Sequence, residues 1–499
     1  METLASLLTR LAAGGADRPA LTCGGRTRTF GELDARSAQV AHALIRDGVR
    51  PGDRVAVLTR NRAEHFELLF GAARAGAVLV GLNWRLAPPE IAAIVTDAEP
   101  AIVLAGTEQR ALLPSALGEP VDLDTGYEAW IAGLPTNAPD VATAPDDVVL
   151  QLYSSGTTGL PKGARLTHAN LLFTPRMGRE SYRMGPDSVN LLASPLFHIG
   201  GTGYALTTLG LGGHSVLMAD VDPAPMLALI AEHRVTHAFF VPAVVAMLVD
   251  HPDVAATDLS SLEVVAYDGA PMTESLLRRA IATLGCRFMG VYGMTETAGS
   301  VTFLAPEDHD RPELLRSVGR CLPWHEVAVF DPLSGEPSPV GAVGEIRVRS
   351  GQNTPGYWHR PQETAATLTP EGWLRTGDAA YADAEGYLYL HDRIKDMIIS
   401  GGENVYPAEV ENALAGHPAV ADVAVIGVPS LRWGETVKAF VVPMAGTDPS
   451  PAELIEHART RLARYKCPTS VDLVTDLPRN ASGKLLKKVL REQYQRPAP

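Results

Sequence analysis

The sequence is poor in cysteine, poor in aromatic residues and short of positive charge, and no apolar run in it is long enough to cross a membrane. Its four cysteines, Cys23, Cys286, Cys321 and Cys467, stand far apart, with neither the paired spacing of a zinc site nor a CxxC redox motif. They read as reduced, structural thiols of a cytoplasmic protein. A net charge of −14 argues against nucleic acid as a partner, because backbone binding depends on clustered Lys and Arg. Any phosphate chemistry must therefore be local, built from backbone amides and a few cations. No stretch reaches the roughly 18 apolar residues of a spanning helix. The N-terminus lacks a basic region and Arg10 breaks its apolar pattern, so no secretory signal is expected; Arg496-Pro497-Ala498-Pro499 matches no peroxisomal or lipidation signal.

What is plentiful is glycine, 46 residues, and proline, 38, within a chain that is 46% apolar. Many loops must join a largely aliphatic core, and 499 residues exceed one ordinary core. Thr29-Phe30-Gly31-Glu32 predicts a helix start by its capping box, and Arg50-Pro51-Gly52-Asp53 predicts a turn into a buried strand at Val55–Leu58. A helix near Ala63–Ala75 and a strand at Ala77–Leu82 continue a β-α-β rhythm that returns between Val189 and Val291, implying parallel sheet. From about Val327 to Tyr389 short strands alternate with Gly and Pro turns. The last hundred residues read as compact α+β, with a helix after Pro407 and strands at Val423–Val428 and Lys438–Val442. The expected fold is thus α/β plus α+β: a large N-terminal domain of α/β subdomains with a β-rich subdomain, and a small mobile C-terminal domain, divided at residues 391–396.

The most informative stretch is Tyr153-Ser154-Ser155-Gly156-Thr157-Thr158-Gly159-Leu160-Pro161-Lys162-Gly163. It follows the apolar strand Val148–Tyr153 and precedes a helix opening near Thr167. Four hydroxyls supply donors, Gly156 and Gly159 let backbone N–H groups turn toward an anion, and Lys162 adds a cation. A polar turn would explain the glycines but not four hydroxyls and a lysine together. Pro161 stands where a Walker A loop needs its second glycine, so this is a different phosphate loop.

The stretch resembles the phosphate-binding signature of the adenylate-forming superfamily, in particular its acyl-CoA and aryl-CoA synthetases, and further motifs follow in that family's order. The resemblance implies ATP as the nucleotide, with Ser154, Ser155, Gly156, Thr157, Thr158, Gly159 and Lys162 around its phosphates. Val291-Tyr292-Gly293-Met294-Thr295-Glu296 is similar to the second signature, which implies Tyr292 against adenine, Thr295 at the α-phosphate and Glu296 on Mg2+. Gly269-Ala270-Pro271 resembles the opposite wall of the adenine slot. Thr376-Gly377-Asp378, a turn if taken alone, and Arg393 resemble the pair that grips ribose. Pro478-Arg479-Asn480-Ala481-Ser482-Gly483-Lys484 is similar to the C-terminal catalytic motif, with Lys484 bridging the attacking carboxylate and the α-phosphate.

By the same resemblance, Gly401 and Gly402 line a pantetheine tunnel after the small domain rotates about Lys395. The implied domains are 1–392, binding ATP and the acid, and 396–499, a lid carrying the catalytic lysine, with the hinge at 393–395. Pro195-Leu196-Phe197-His198-Ile199-Gly200-Gly201-Thr202-Gly203 is similar to the stretch opening the acyl pocket. It places His198 by the carboxylate or tunnel, and Gly200, Gly201 and Gly203 leave volume for the acyl or aryl group. Asp268 departs from the family's small neutral residue; it either bonds backbone or adenine, or faces the pocket and meets a polar group of the substrate. Three readings stand: a coenzyme A ligase, an adenylating enzyme with another acceptor (carrier protein, amine or activated nitrite), and a nucleotide-binding protein without catalysis. Intact Glu296, Asp378 and Lys484 speak against the third, and Gly401-Gly402-Glu403-Asn404 with Arg432-Trp433-Gly434-Glu435 favours the first. The expected partners are a small carboxylic acid and coenzyme A, with no nucleic acid and no membrane span, and with a homodimer left open.

Overall fold

A computed structural model describes the chain except for residues 1, 155–160, 270–271, 333, 394–395, 397, 401–402, 406, 431–433, 463, 480–484 and 493–499, and except for the side chains of 116, 154, 391–393, 399, 403–404 and 434. Two compact units result, one of Met1–Val327 with Val348–Arg375 and one of Ala328–Arg347 with Thr376–Pro499.

The first unit is built on two sheets. Among the described residues, the smaller runs in the spatial order Val121–Asp122, Pro100–Ala105, Arg54–Leu58, Val78–Leu82, Val148–Ser154, Lys162–Thr167. All its pairings are parallel save the last. Val55–Leu58 is buried along its length, as a short apolar run in a parallel sheet should be. The larger sheet places Val189–Leu192, His237–Phe240, Val264–Tyr267 and Arg287–Met294 side by side in parallel, then turns antiparallel at Gly299–Leu304. In such sheets ligands bind beyond the carboxyl ends of the strands, and Phe197-His198, Asp268 and Met294–Glu296 all lie there.

The Thr29 capping box forms as its residues predict. Thr29 Oγ1 accepts from the Glu32 N–H at 3.1 Å, and Glu32 Oε2 accepts from the Thr29 N–H at 2.9 Å. The helix it opens, Phe30–Arg46, packs against Glu64–Ala75 so closely that a Cβ on Gly71 would stand 2.4 Å from Val40 Cγ1.

The Tyr153–Gly163 stretch follows the strand Val148–Ser154, and a helix opens at His168 capped by Thr167, as the sequence implied. What the sequence did not announce is a second strand in between, Lys162–Thr167, antiparallel to the first with Ser154 opposite Lys162. Lys162–Thr167 is a strand by its backbone pairing with Val148–Ser154, and Gly163, Ala164, Leu166 and Thr167 are all buried in it. The described ends of the phosphate stretch thus belong to one antiparallel pair of strands. Arg287–Met294 also outruns the Phe288–Val291 expectation, because Tyr292 and Gly293 continue to pair with Thr302 and Ser300.

In the second unit, Glu326–Phe330, Gly344–Arg349, Leu374–Ala382 and Leu388–Arg393 form one sheet. A second sheet has the long ribbon Val420–Ser430 with Gly434–Pro443, flanked by Ile398–Ser400 and Ser470–Leu473. Pro407–Ala415 and Pro451–Arg459 cover it over a core of Val410, Leu414, Val425, Val437 and Leu454. The ribbon strands exceed their sequence-based limits because each backbone continues to pair with the other.

The Glu64–Ala75 helix, whose first turn carries His65, is fastened by Glu67. Its buried carboxylate accepts from Arg28 Nε at 3.1 Å, Arg36 Nε at 2.7 Å and the Tyr127 hydroxyl at 2.8 Å. Glu67→Ala would leave Arg28 buried without its carboxylate, a change of about 3–5 kcal/mol. Calorimetry should show the first unit melting well below wild type; an unchanged transition would mean the network contributes nothing net.

Candidate active site

The hairpin Val148–Thr167 presents Lys162 at the start of its second strand. Ser155, Gly156, Thr157, Thr158 and Gly159 lie outside the described residues, as does the Ser154 side chain. A second hairpin, Arg287–Leu304, carries Tyr292, Gly293, Thr295 and Glu296 around its turn. Its strands approach so closely that a Cβ on Gly293 would meet Gly299 O at 2.0 Å, so only glycine fits. Thr297 Oγ1 accepts from the Met294 N–H at 3.1 Å and lies 2.7 Å from Gly299 O, which locks the turn.

A third segment ties the two hairpins together, and sequence reasoning missed it. Thr354 donates its N–H to Glu296 O at 2.7 Å and its hydroxyl to Arg165 O at 2.6 Å. Ala164 and Tyr357 form an antiparallel bridge, and Trp358 donates its N–H to Gly163 O at 2.8 Å. Tyr357 thereby comes between the hairpins. Its hydroxyl donates to Glu296 Oε1 at 2.8 Å, and Lys162 Nζ lies 5.4 Å from its ring centroid, a cation–π distance. Burial, then the Glu296 carboxylate, raises the phenol's pKa, so it remains a donor. The signal in the sequence was slight: aromatic Tyr357-Trp358 after Gly356 in a polar loop.

Glu296 is buried. Among the described residues no group of three His, Cys, Asp or Glu could hold a metal by themselves. A lone carboxylate suits Mg2+, which keeps waters and takes its other oxygens from substrate phosphates.

On the acid side, His198 immediately precedes the helix Ile199–Leu209. Burial, then the charge of Arg85, pulls its pKa down to about 4, which favours the neutral ring at pH 7. Gly200 faces Phe239, with a built Cβ at 3.1 Å from Cε1. A Cβ on Gly201 would stand 2.2 Å from Pro195 O, so the loop's own backbone demands this glycine. Gly203 faces Ile199, 3.2 Å from a built Cβ. Tyr182, Tyr204 and Phe239 follow one another with ring centroids 6.2 and 5.2 Å apart. Asp268, half-buried beyond Val264–Tyr267, acts electrostatically on the Tyr182 hydroxyl, which also bonds Ser300. Gly269 takes φ of 83°, which a side chain would resist, while Ala270 and Pro271 lie outside the described residues.

Within the second unit, Asp378 and Arg393 stand opposite each other in antiparallel strands. Thr376-Gly377-Asp378 is strand, not the turn its composition suggests; Gly377 has φ of 71° and its N–H donates to Glu345 Oε1 at 3.3 Å. The Arg393 side chain, Lys395, Gly401, Gly402 and Lys484 lie outside the described residues.

Two α/β sheets carrying a glycine- and hydroxyl-rich hairpin beside a buried carboxylate, followed by an α+β unit, are the parts of an adenylate-forming enzyme. The profile of the AMP-binding enzyme family matches residues 8–358, and that of the AMP-binding enzyme C-terminal domain matches residues 409–484. The chain belongs to this family, in the branch of the acyl-CoA and aryl-CoA synthetases. It is 42% identical to a feruloyl-CoA synthase of Amycolatopsis sp, over 94% of this chain and 95% of that one. It is 39% identical to the fatty acid–[acyl-carrier-protein] ligase ScoC of Streptomyces coeruleorubidus, over 95% and 93%. Among solved structures, ATP-bound MatB of Rhodopseudomonas palustris superposes with a TM-score of 0.90 at 33% identity, covering 98% of this chain and 99% of that one.

Tyr357→Phe removes a hydrogen bond to a charged carboxylate while keeping the ring under Lys162. That bond is worth roughly 1.5–3 kcal/mol, so kcat/KM for Mg·ATP should fall about ten- to a hundredfold. Steady-state adenylation kinetics check this; wild-type values would remove Tyr357 from the site.

Proposed function

We propose that the chain activates a carboxylic acid with ATP and Mg2+ and passes the acyl group to coenzyme A. A carboxylate oxygen attacks the α-phosphorus, the bond to the β-phosphate oxygen breaks, and pyrophosphate leaves with its electron pair. The coenzyme A sulfur then attacks the acyl carbon and AMP departs. The observation that supports this most is the Lys162–Tyr357–Glu296 arrangement, a cation and a buried carboxylate brought to one side chain. Glu296 would hold Mg2+ against the phosphates, where the ion offsets their charge. Thr295 would meet the α-phosphate, Tyr292 the adenine, and Asp378 with Arg393 the ribose. Lys484 of the C-terminal motif would supply a cation where the two anions meet. Residues 1–392 would bind ATP and acid, and 396–499 would turn about 393–395 to bring Lys484, then Gly401 and Gly402, to the reaction. The setting is cytoplasmic.

For the acid, the succession Tyr182, Tyr204, Phe239 and the Asp268 charge at Tyr182 favour an aryl acid bearing a hydrogen-bond donor. The similarity to a feruloyl-CoA synthase agrees. The similarity to an acyl-carrier-protein ligase keeps one second reading, transfer to a carrier protein in place of coenzyme A.

Pyrophosphate release over a panel of acids, with and without coenzyme A, should show acid-dependent turnover and an acyl-CoA product. Acid-dependent pyrophosphate with acyl-AMP retained in the presence of coenzyme A would favour the carrier-protein reading. Lys484→Ala should cut acyl-AMP formation by roughly two to four orders of magnitude yet spare transfer from supplied acyl-AMP; equal loss in both steps would contradict its role. Asp268→Ala should erase about ten- to a hundredfold of preference for donor-bearing over plain alkyl acids, with the ATP KM unchanged. A weakened ATP KM with the acid ranking intact would put Asp268 in the nucleotide site.

A further inference from the structure

Ser194–Thr202, the turn that carries His198, is held by two side chains from a different part of the chain. Asn61 stands just before the Glu64–Ala75 helix and His65 lies in its first turn. Both ends of the Asn61 amide are used: Nδ2 donates to Ser194 O at 2.9 Å, and Oδ1 accepts from the Leu196 N–H at 2.9 Å. The amide thus pairs with the chain as a neighbouring strand would, where the Val189–Leu192 strand has ended. His65 Nε2 lies 3.0 Å from Thr202 Oγ1. The Thr202 hydroxyl already donates to Leu196 O at 2.6 Å, so the imidazole must be the donor. Burial pulls the His65 pKa down to about 3, which keeps the ring neutral with its proton on Nε2. Asn61, His65 and Thr202 are all buried.

The turn has no slack. His198 donates its N–H to Pro195 O at 3.1 Å, and Thr202 donates its N–H to His198 O at 3.1 Å. On the side of the smaller sheet, a Cβ on Gly81 would stand 3.1 Å from Phe197 Cα. A shift at Ser194 or Leu196 is therefore passed to His198 and not absorbed, because packed interiors leave no room for it.

We propose that Asn61 and His65 are positioning residues for acid activation: they fix the Ser194–Thr202 turn and with it His198 and Gly200. Neither side chain touches the phosphate hairpin or Glu296 among the described contacts, so their removal acts on the acid and not on ATP. The proposal rests on the reading that His198 and Gly200 line the acid site.

The test is initial-rate pyrophosphate release, with ferulate or dodecanoate as the acid, whichever the wild-type enzyme adenylates faster. Asn61→Leu and His65→Leu should lower kcat/KM for the acid about ten- to a hundredfold, the range for a misplaced reacting group. The ATP KM should stay within about twofold of wild type. His65→Gln, which keeps an N–H donor for Thr202, should recover most of the loss. Acid and ATP parameters falling together, or His65→Gln behaving as His65→Leu, would overturn the proposal, and so would wild-type kinetics in the leucine variants. Should Asn61→Leu fail to fold, Asn61→Asp keeps the acceptor for Leu196, loses the donor to Ser194 and is read by the same criteria. His198→Ala separates the two levels. If it leaves the acid kinetics unchanged, the reading of the acid site fails; if it lowers them while the Asn61 and His65 variants do not, only the positioning proposal fails.

Discussion

The nucleotide face depends on the short strip from Thr354 to Trp358, which fastens two hairpins from two different sheets. Thr354 reaches both, bonding the carbonyls of Glu296 and Arg165 at 2.7 and 2.6 Å. Each such bond adds about 1 kcal/mol net, but a buried carbonyl left without its donor costs about 1–3 kcal/mol. The strip therefore defines where Lys162 and Glu296 can stand relative to each other, and Tyr357 contacts both. Lys162 and Glu296 are far apart in the sequence, so only tertiary contacts of this kind can hold them in one arrangement.

That dependence separates what was legible in the sequence from what was not. Local chemistry was legible. The Thr29–Glu32 capping box, the Val55–Leu58 strand and the helix after Pro407 are set by residues within a few positions of one another. The phosphate stretch was recognisable by composition, yet its second strand was not, because Lys162–Thr167 is six residues long, shows no alternation of buried and exposed residues, and is followed at once by a helix. Tyr357, Asn61 and His65 were invisible for a stronger reason. They act across 61, 133 and 137 positions of sequence, and no periodicity or motif reports such a contact. Gly201 shows the converse: glycines near a pocket suggest room for a ligand, but this one is required by Pro195 O.

The electrostatics divide the labour between the two sides of the first unit. On the phosphate side stand a lysine and a buried carboxylate, Lys162 and Glu296. On the acid side burial holds His198 and His65 neutral, so that region contributes hydrogen bonds and shape. A neutral wall of this kind would not trap a carboxylate as a tight ion pair and so would leave it nucleophilic.

An acid and ATP should react on this chain before any acceptor is present. Acid-dependent exchange of labelled pyrophosphate into ATP, with Mg2+ and without coenzyme A or carrier protein, measures that step alone. Exchange should require the acid and be lost with Glu296→Gln. Label exchange independent of acid, or cleavage of ATP to ADP and phosphate, would contradict adenylation.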